Sequence, residues 1–247
     1  MNHPLFSTDK LQAVSHLDSR QMWANTRFWL ETYNLKTGRH GWKSRHLRNL
    51  FNSLLRLFEL GLRLSGLYTR GRQNAEQLAF RTLPLFFPAL PESFEGFRIL
   101  HLSDLHLDGM PGLEKLVLNQ MHGEEFDLCV ITGDFRAYVQ GPLVPMLNLL
   151  EPLLRGIRSS YGFLGVLGNH DCCHMLEPLE ALGIRMLINE DYLIEKNGDR
   201  IQIIGTDDVH SYYTDQALHA LEKASEEFVI ALVHSPELYN YAAQMGV

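Results

Sequence analysis

Phe97-Arg98-Ile99-Leu100-His101-Leu102-Ser103-Asp104-Leu105-His106 sets the pattern from which the rest of the chain is read. The apolar run Phe97 to Leu102 has the form of a short strand, and an Asp-x-His cluster begins where it stops. The same unit recurs three times. Leu128 to Thr132 leads into Gly133-Asp134, Phe163 to Leu167 into Gly168-Asn169-His170-Asp171, and Phe228 to Val233 into His234-Ser235-Pro236. A further strand is expected over Ile201 to Ile204, and helical spacing separates the first three strands. Such alternation predicts an α/β domain whose ligands bind beyond the carboxyl ends of its strands.

The four clusters share one chemistry. Carboxylates, neutral imidazoles and an Asn amide oxygen suit Mn first, with Fe, Zn, Mg and Ni as alternatives, and a carboxylate such as Asp134 is able to bridge two ions. Two cations held close together clamp a phosphoryl group and activate a water for in-line displacement. Gly133 and Gly168 allow tight turns beside the donors. Asp104, His106, Asp134, Asn169, His170 and His234 are therefore the candidate site. Any one cluster is weak evidence; four in succession, each after an apolar strand, are not easily accidental.

In this order of D-x-H, G-D, G-N-H-D and a later lone His, the sequence resembles the calcineurin-like metallophosphoesterase family, most closely its small bacterial phosphodiesterase branch. The resemblance implies that Asp104 and His106 bind a first metal, that Asp134 bridges, and that Asn169 and His234 bind a second. It implies that His170 contacts the scissile phosphate or protonates the leaving oxygen and that Asp171 orients it. It also implies a four-layer α-β-β-α sandwich of two mixed sheets with the metals at one edge. Some members of that branch and its relatives cleave the pyrophosphate of a lipid-linked UDP-sugar, so the expected substrate carries a phosphodiester or pyrophosphate bond and is lipid-linked. Alternatives are a soluble phosphatase or nucleotide phosphodiesterase, or a non-catalytic metal-binding scaffold. The family's closing G-H-x-H segment, which adds a histidine to each metal, is not found after His234, so the sequence is expected to be a piece of a longer protein.

Upstream, residues 1–91 read as a helical extension and 92–247 as the phosphoesterase domain. Trp23, Phe28, Trp29, Tyr33 and Trp42 are too many aromatics for a disordered tail, and partial helix is expected there. From Arg45, Leu47, Leu50, Phe51, Leu54, Leu55, Phe58 and Leu62 follow three- and four-residue steps, widened by Leu57, Leu60 and Leu64. With Arg39, Lys43, Arg48, Arg70 and Arg72 on the flanks, residues 43–72 form a basic amphipathic helix suited either to an anionic membrane surface or to packing on the domain or a second subunit. The prolines of Leu83 to Pro91 predict an extended linker.

Charge divides along the same line. Of 22 Lys/Arg and 29 Asp/Glu, residues 1–96 hold 13 and 7, leaving 9 and 22 beyond. An acidic second region repels polyanions, which argues against broad nucleic-acid binding by it. At 247 residues with 45% hydrophobic and 21% charged, the composition is that of an ordinary globular protein. Three cysteines, Cys129 and the adjacent Cys172 and Cys173, suit a reducing compartment. With no signal-peptide pattern at the N-terminus, the expected location is cytoplasmic, peripheral on the membrane's cytoplasmic face.

Other residues carry lesser expectations. Arg136 is placed either to form a structural ion pair or to pair with a substrate phosphate. Asp207 and Asp208 read as turn and helix-capping residues. His210 reads as exposed loop, Cys172, Cys173 and His174 as packing, and His101, His122 and His219 as structural.

Overall fold

The computed structural model describes residues 8–37, 45–225 and 227–247, with the side chains of 8–18, 45–49 and 52 left aside. Arg39, Trp42 and Lys43 lie outside the described residues. Four strands, β1 (Ile99–Leu102), β2 (Leu128–Thr132), β3 (Phe163–Val166) and β4 (Ile184–Met186), pair in that order, with Leu100 opposite Cys129 and Cys129 opposite Phe163. This sheet is parallel throughout, a correction to the expectation of two mixed sheets. Its connections pass through helices α4 (Leu113–Gln120), α5 (Val144–Gly156) and α6 (Leu176–Ala181), the long crossovers that parallel neighbours need. The second sheet is mixed: β5 (Glu190–Lys196) runs antiparallel to β6 (Asp199–Gly205), and β7 (Phe228–Leu232) parallel to β6. Asn197 and Gly198, both with positive φ, turn the β5–β6 hairpin.

Alternation along the strands sorts side chains between layers. Leu128 and Val130 of β2 and Leu164 and Val166 of β3 share a core with Ile201 and Ile203 of β6, and buried Phe94 joins them. Cys129 and Ile131 belong to another core with Val117 of α4, Leu150 and Leu153 of α5, and Leu179 of α6. Ile204 packs with helices α7 (Val209–Tyr212) and α8 (Asp215–Leu221) through Val209, Ala217 and Leu221. A short helix, α9 (Tyr239–Gln244), adds Tyr241 and Ala242. The result is the α-β-β-α sandwich, in which each fully buried aliphatic side chain contributes about 1.5–3 kcal/mol.

The N-terminal region divides in two. Helix α1 (Thr8–Thr37) is built into the sandwich. Trp23 is buried in the core around α5, Arg20 bonds Glu180, Glu190 and the Met186 carbonyl, and Asn34 donates to the Ser211 carbonyl. By contrast, α2 (Arg45–Leu64) and α3 (Leu67–Glu76) have no buried side chain among those described, and Leu54 (58%) and Phe58 (65%) are exposed. The linker then runs extended along the domain, setting Phe80 against Phe126 and Phe87 against Phe228. No helix of the described residues is long and apolar enough to cross a membrane.

Candidate metal centre

Because β1, β2 and β3 are parallel, their carboxyl ends lie at one edge, and β7 brings His234 to the same edge from the second sheet. The loops after β1 and β2 stay zipped beyond the strands through Asp104 N–H to Gly133 O, His106 N–H to Asp134 O and Leu107 N–H to Phe135 O. Holding them there requires unusual backbone. Asp104, His106 and Asp134 have φ of 52°, 42° and 54°, a left-handed region uncommon for non-glycine residues and concentrated at functional sites. Gly133, at φ 84°, also keeps three loops in contact, since a Cβ on it would lie 2.5 Å from Gly168 N and 2.8 Å from His234 Nδ1. A Cβ on Gly168 would run into the Asp134 carboxylate.

The Asp134 carboxylate is 3% exposed and stands between two imidazoles, with Oδ2 3.5 Å from His106 Nε2 and Oδ1 3.6 Å from His234 Nε2. Each ring is oriented from its other nitrogen. His106 Nδ1 lies 2.8 Å from the Arg136 carbonyl, and His234 Nδ1 2.8 Å from the Thr132 carbonyl. A carbonyl accepts only, so each Nδ1 carries the proton and, in the neutral rings, each Nε2 presents a lone pair inward. His234 Nε2 then faces Asn169 Oδ1 at 3.0 Å, acceptor against acceptor. Lone pairs converging with no proton between them fit a cation, so the residues suit the divalent ions the sequence implies.

Two groups of donors share Asp134. Donor atoms of Asp104, Asp134 and His234 lie within 4.8 Å of one another, as do those of His106, Asp134 and His170. Asp104 thus groups with His234 and His170 with His106, whose rings meet edge to face at 4.8 Å. Ser103 Oγ donates to Asp104 Oδ2 at 2.5 Å. His170 is held by its N–H to Asp134 Oδ1 (2.9 Å) and by Nδ1 on the Ala137 carbonyl (2.6 Å). Its ring lines an open cleft of about 440 Å³ with Asp104, His106, Leu105, Met110 and Leu113.

The buried carboxylate of Asp171, the residue expected to orient His170, accepts from the backbone N–H groups of Gly168, Asp134 and Phe135. Burial, reinforced by the neighbouring Asp134 charge, pushes its pKa up to about 6 against those N–H bonds and Arg27. Arg136 is 2% exposed; one N–H reaches the Gly141 carbonyl, its Nε has no partner, and its contact with the centre is through its own carbonyl. Asp208 caps α7 by accepting from His210 and Ser211 N–H.

Sequence reading missed Arg27. Its guanidinium, 1% exposed, donates to the carbonyls of Gly168 and Asp171 at 2.9 Å each, one on either side of Asn169-His170. It pairs with Asp207, which also accepts from Trp23 Nε1 at 2.7 Å. The Tyr212 ring lies 3.4 Å from the guanidinium carbon, and Tyr212 Oη donates to the Asn169 carbonyl. Asp207 is thus the buried counter-ion of this arginine, beyond the turn role expected for it. No local motif announces contacts between residues 141 to 180 positions apart.

A sandwich with paired carboxylate and imidazole donors at its carboxyl edge defines a metal-dependent phosphoesterase class. The calcineurin-like phosphoesterase profile matches residues 97–245, and the chain belongs to that family. Among relatives, the uncharacterized metallophosphoesterases YkoQ and YkuE of Bacillus subtilis are 28% and 29% identical over 57% and 60% of this chain, and 53% and 54% of their own lengths. A Danio rerio transmembrane protein with metallophosphoesterase domain is 29% identical over 63% of this chain and 38% of its own. The chain therefore spans about half the length, or less, of the curated relatives it matches. Among solved structures, Haemophilus influenzae NAD nucleotidase aligns with 60% of this chain and 35% of its own, at a TM-score of 0.40 and 19% identity.

Proposed function

We propose that this chain hydrolyses phosphodiester or pyrophosphate bonds with the help of two divalent ions, Mn first among them, on a lipid-linked substrate at an anionic membrane surface. The observation that carries the catalytic part is the convergence of imidazole nitrogens and an amide oxygen on either side of Asp134, above all His234 Nε2 against Asn169 Oδ1. When bound, such ions supply charge neutralisation and activation of water. The chain's own residues do the rest. Asp134 and Asp104 would hold the ions with His106, Asn169 and His234, while backbone carbonyls fix the tautomer of both imidazoles.

His170 is the proton carrier in this reading. With Nδ1 donating to the Ala137 carbonyl, Nε2 carries a proton for the leaving oxygen only in the doubly protonated imidazolium form, and becomes a lone-pair acceptor once that proton is given. The apolar side of the cleft, Leu105, Met110 and Leu113, suits a partly apolar leaving group. Support for a membrane comes from α2, whose described Leu and Phe side chains, the half-buried Leu62 apart, are exposed beside Arg56 and Arg63, as an interfacial helix requires.

The test compares bis-p-nitrophenyl phosphate with p-nitrophenyl phosphate in Mn²⁺. The diester is expected to be preferred, with Asp134→Asn inactive and His170→Ala slowed at undiminished metal content. Activity surviving Asp134→Asn would remove the mechanism. Co-sedimentation with phosphatidylglycerol vesicles tests the membrane separately: Leu54→Glu/Phe58→Glu should abolish it, and wild type that stays in the supernatant at low salt would refute it.

A further inference from the structure

A second cluster of donors lies away from the centre, where α1 meets the loop following His170. Glu31 comes from α1, and Cys173 and His174 come from the loop, with donor atoms within 4.8 Å of one another. Cys173 Sγ lies 3.6 Å from His174 Nδ1 and 3.7 Å from Glu31 Oε2. A tetrahedral zinc ion, with bonds of about 2.3 Å to sulfur and about 2.0–2.2 Å to nitrogen and oxygen, holds its sulfur about 3.5 Å from the other donors. Both separations are nearly those of a coordination shell before any side chain moves.

The donors are also fixed as ligands are. Glu31 Oε1 accepts from Arg27 Nε (3.2 Å) and from the Cys173 N–H (2.8 Å), which leaves Oε2 directed at the thiol. Phe28 sets its ring edge-on against the His174 imidazole at 5.6 Å. Such outer contacts orient metal ligands and tune them.

We infer that Glu31, Cys173 and His174 form a binding site for a zinc-like divalent cation, distinct from the Asp134 centre, that clips α1 to the loop carrying Asn169 and His170. Sulfur selects this ion from those that suit the oxygen-rich centre, since thiolate favours Zn²⁺ over Mn²⁺ or Mg²⁺. Three protein ligands leave the fourth position to water, and the Cys173 proton leaves to solvent on binding. The site does not depend on the hydrolytic reading.

Cobalt substitution tests it, because only a thiolate ligand gives Co²⁺ a near-ultraviolet sulfur-to-metal charge-transfer band, and the Asp134 centre has no sulfur. Wild-type full chain titrated with Co²⁺ should develop that band. Cys173→Ser should lose it, Cys172→Ser should keep it, and Glu31→Gln or His174→Ala should require at least tenfold more Co²⁺. Absence of the band from wild type, or its survival in Cys173→Ser, would overturn the assignment. The wild-type and Cys172→Ser spectra decide the matter even if another variant folds poorly.

Discussion

Arg27→Met tests most directly whether α1 belongs to the catalytic unit. The substitution removes the partner of Asp207, leaving a carboxylate that is 2% exposed with, among the described residues, the Trp23 N–H and the Asp208 N–H against it. It also frees the Gly168 and Asp171 carbonyls. Breaking a buried ion pair from one side costs about 3–5 kcal/mol. Against a total of about 5–15 kcal/mol that is a large fraction, and at about 2–4 °C per kcal/mol for a chain of this size it lowers Tm by roughly 6–20 °C. Adding Asp207→Leu removes the stranded charge and should restore most of that loss, since apolar replacement of a whole buried pair is close to neutral. Turnover should not return with it. The double variant still lacks both N–H bonds that flank Asn169-His170, and a displacement of about 1 Å near reacting groups lowers rate roughly 100-fold. Paired melts and kcat and KM for wild type, single and double variants provide the assay, with the loss expected in kcat. Full recovery of kcat in the double variant would refute the positioning role; a Tm change under about 2 °C in the single one would refute the energetic argument.

Three further outcomes are expected. Gly133→Ala places a Cβ 2.5 Å from Gly168 N at φ 84°, so it should cost about 1–3 kcal/mol by chemical denaturation and reduce bound Mn²⁺ measured by elemental analysis. Burial pushes the Cys129 thiol up to about 12, so iodoacetamide at pH 8 should label Cys129 only in denaturant, as peptide mass spectrometry reads. Trp23→Phe keeps the ring's packing but removes the N–H on Asp207, and should destabilise by about 1–3 kcal/mol in urea unfolding with little change in KM.

Much of the fold was legible because strands β1, β2, β3, β6 and β7 are apolar runs that end in polar clusters. Strand β4, three residues long, offers too short a run to recognise. Strand β5 is masked by Glu190, Asp191, Glu195 and Lys196 on a largely exposed edge, although Asn197-Gly198 carries the signal of its hairpin. The amphipathic spacing of α2 was legible, but the exposure of its leucines, like the burial of α1, was not.

Ligand types are a local property, and the order of Asp104, His106, Asp134, Asn169, His170 and His234 along the chain already specified metal chemistry at strand ends. What the tertiary structure alone decided is which atoms face each other. It set Asp134 between two imidazoles, gave the Asp171 carboxylate to backbone N–H groups, and brought Arg27 and Glu31 to a loop more than 130 residues away. Side-chain direction depends on packing between elements distant in sequence, and periodicity reports only each residue's near neighbours.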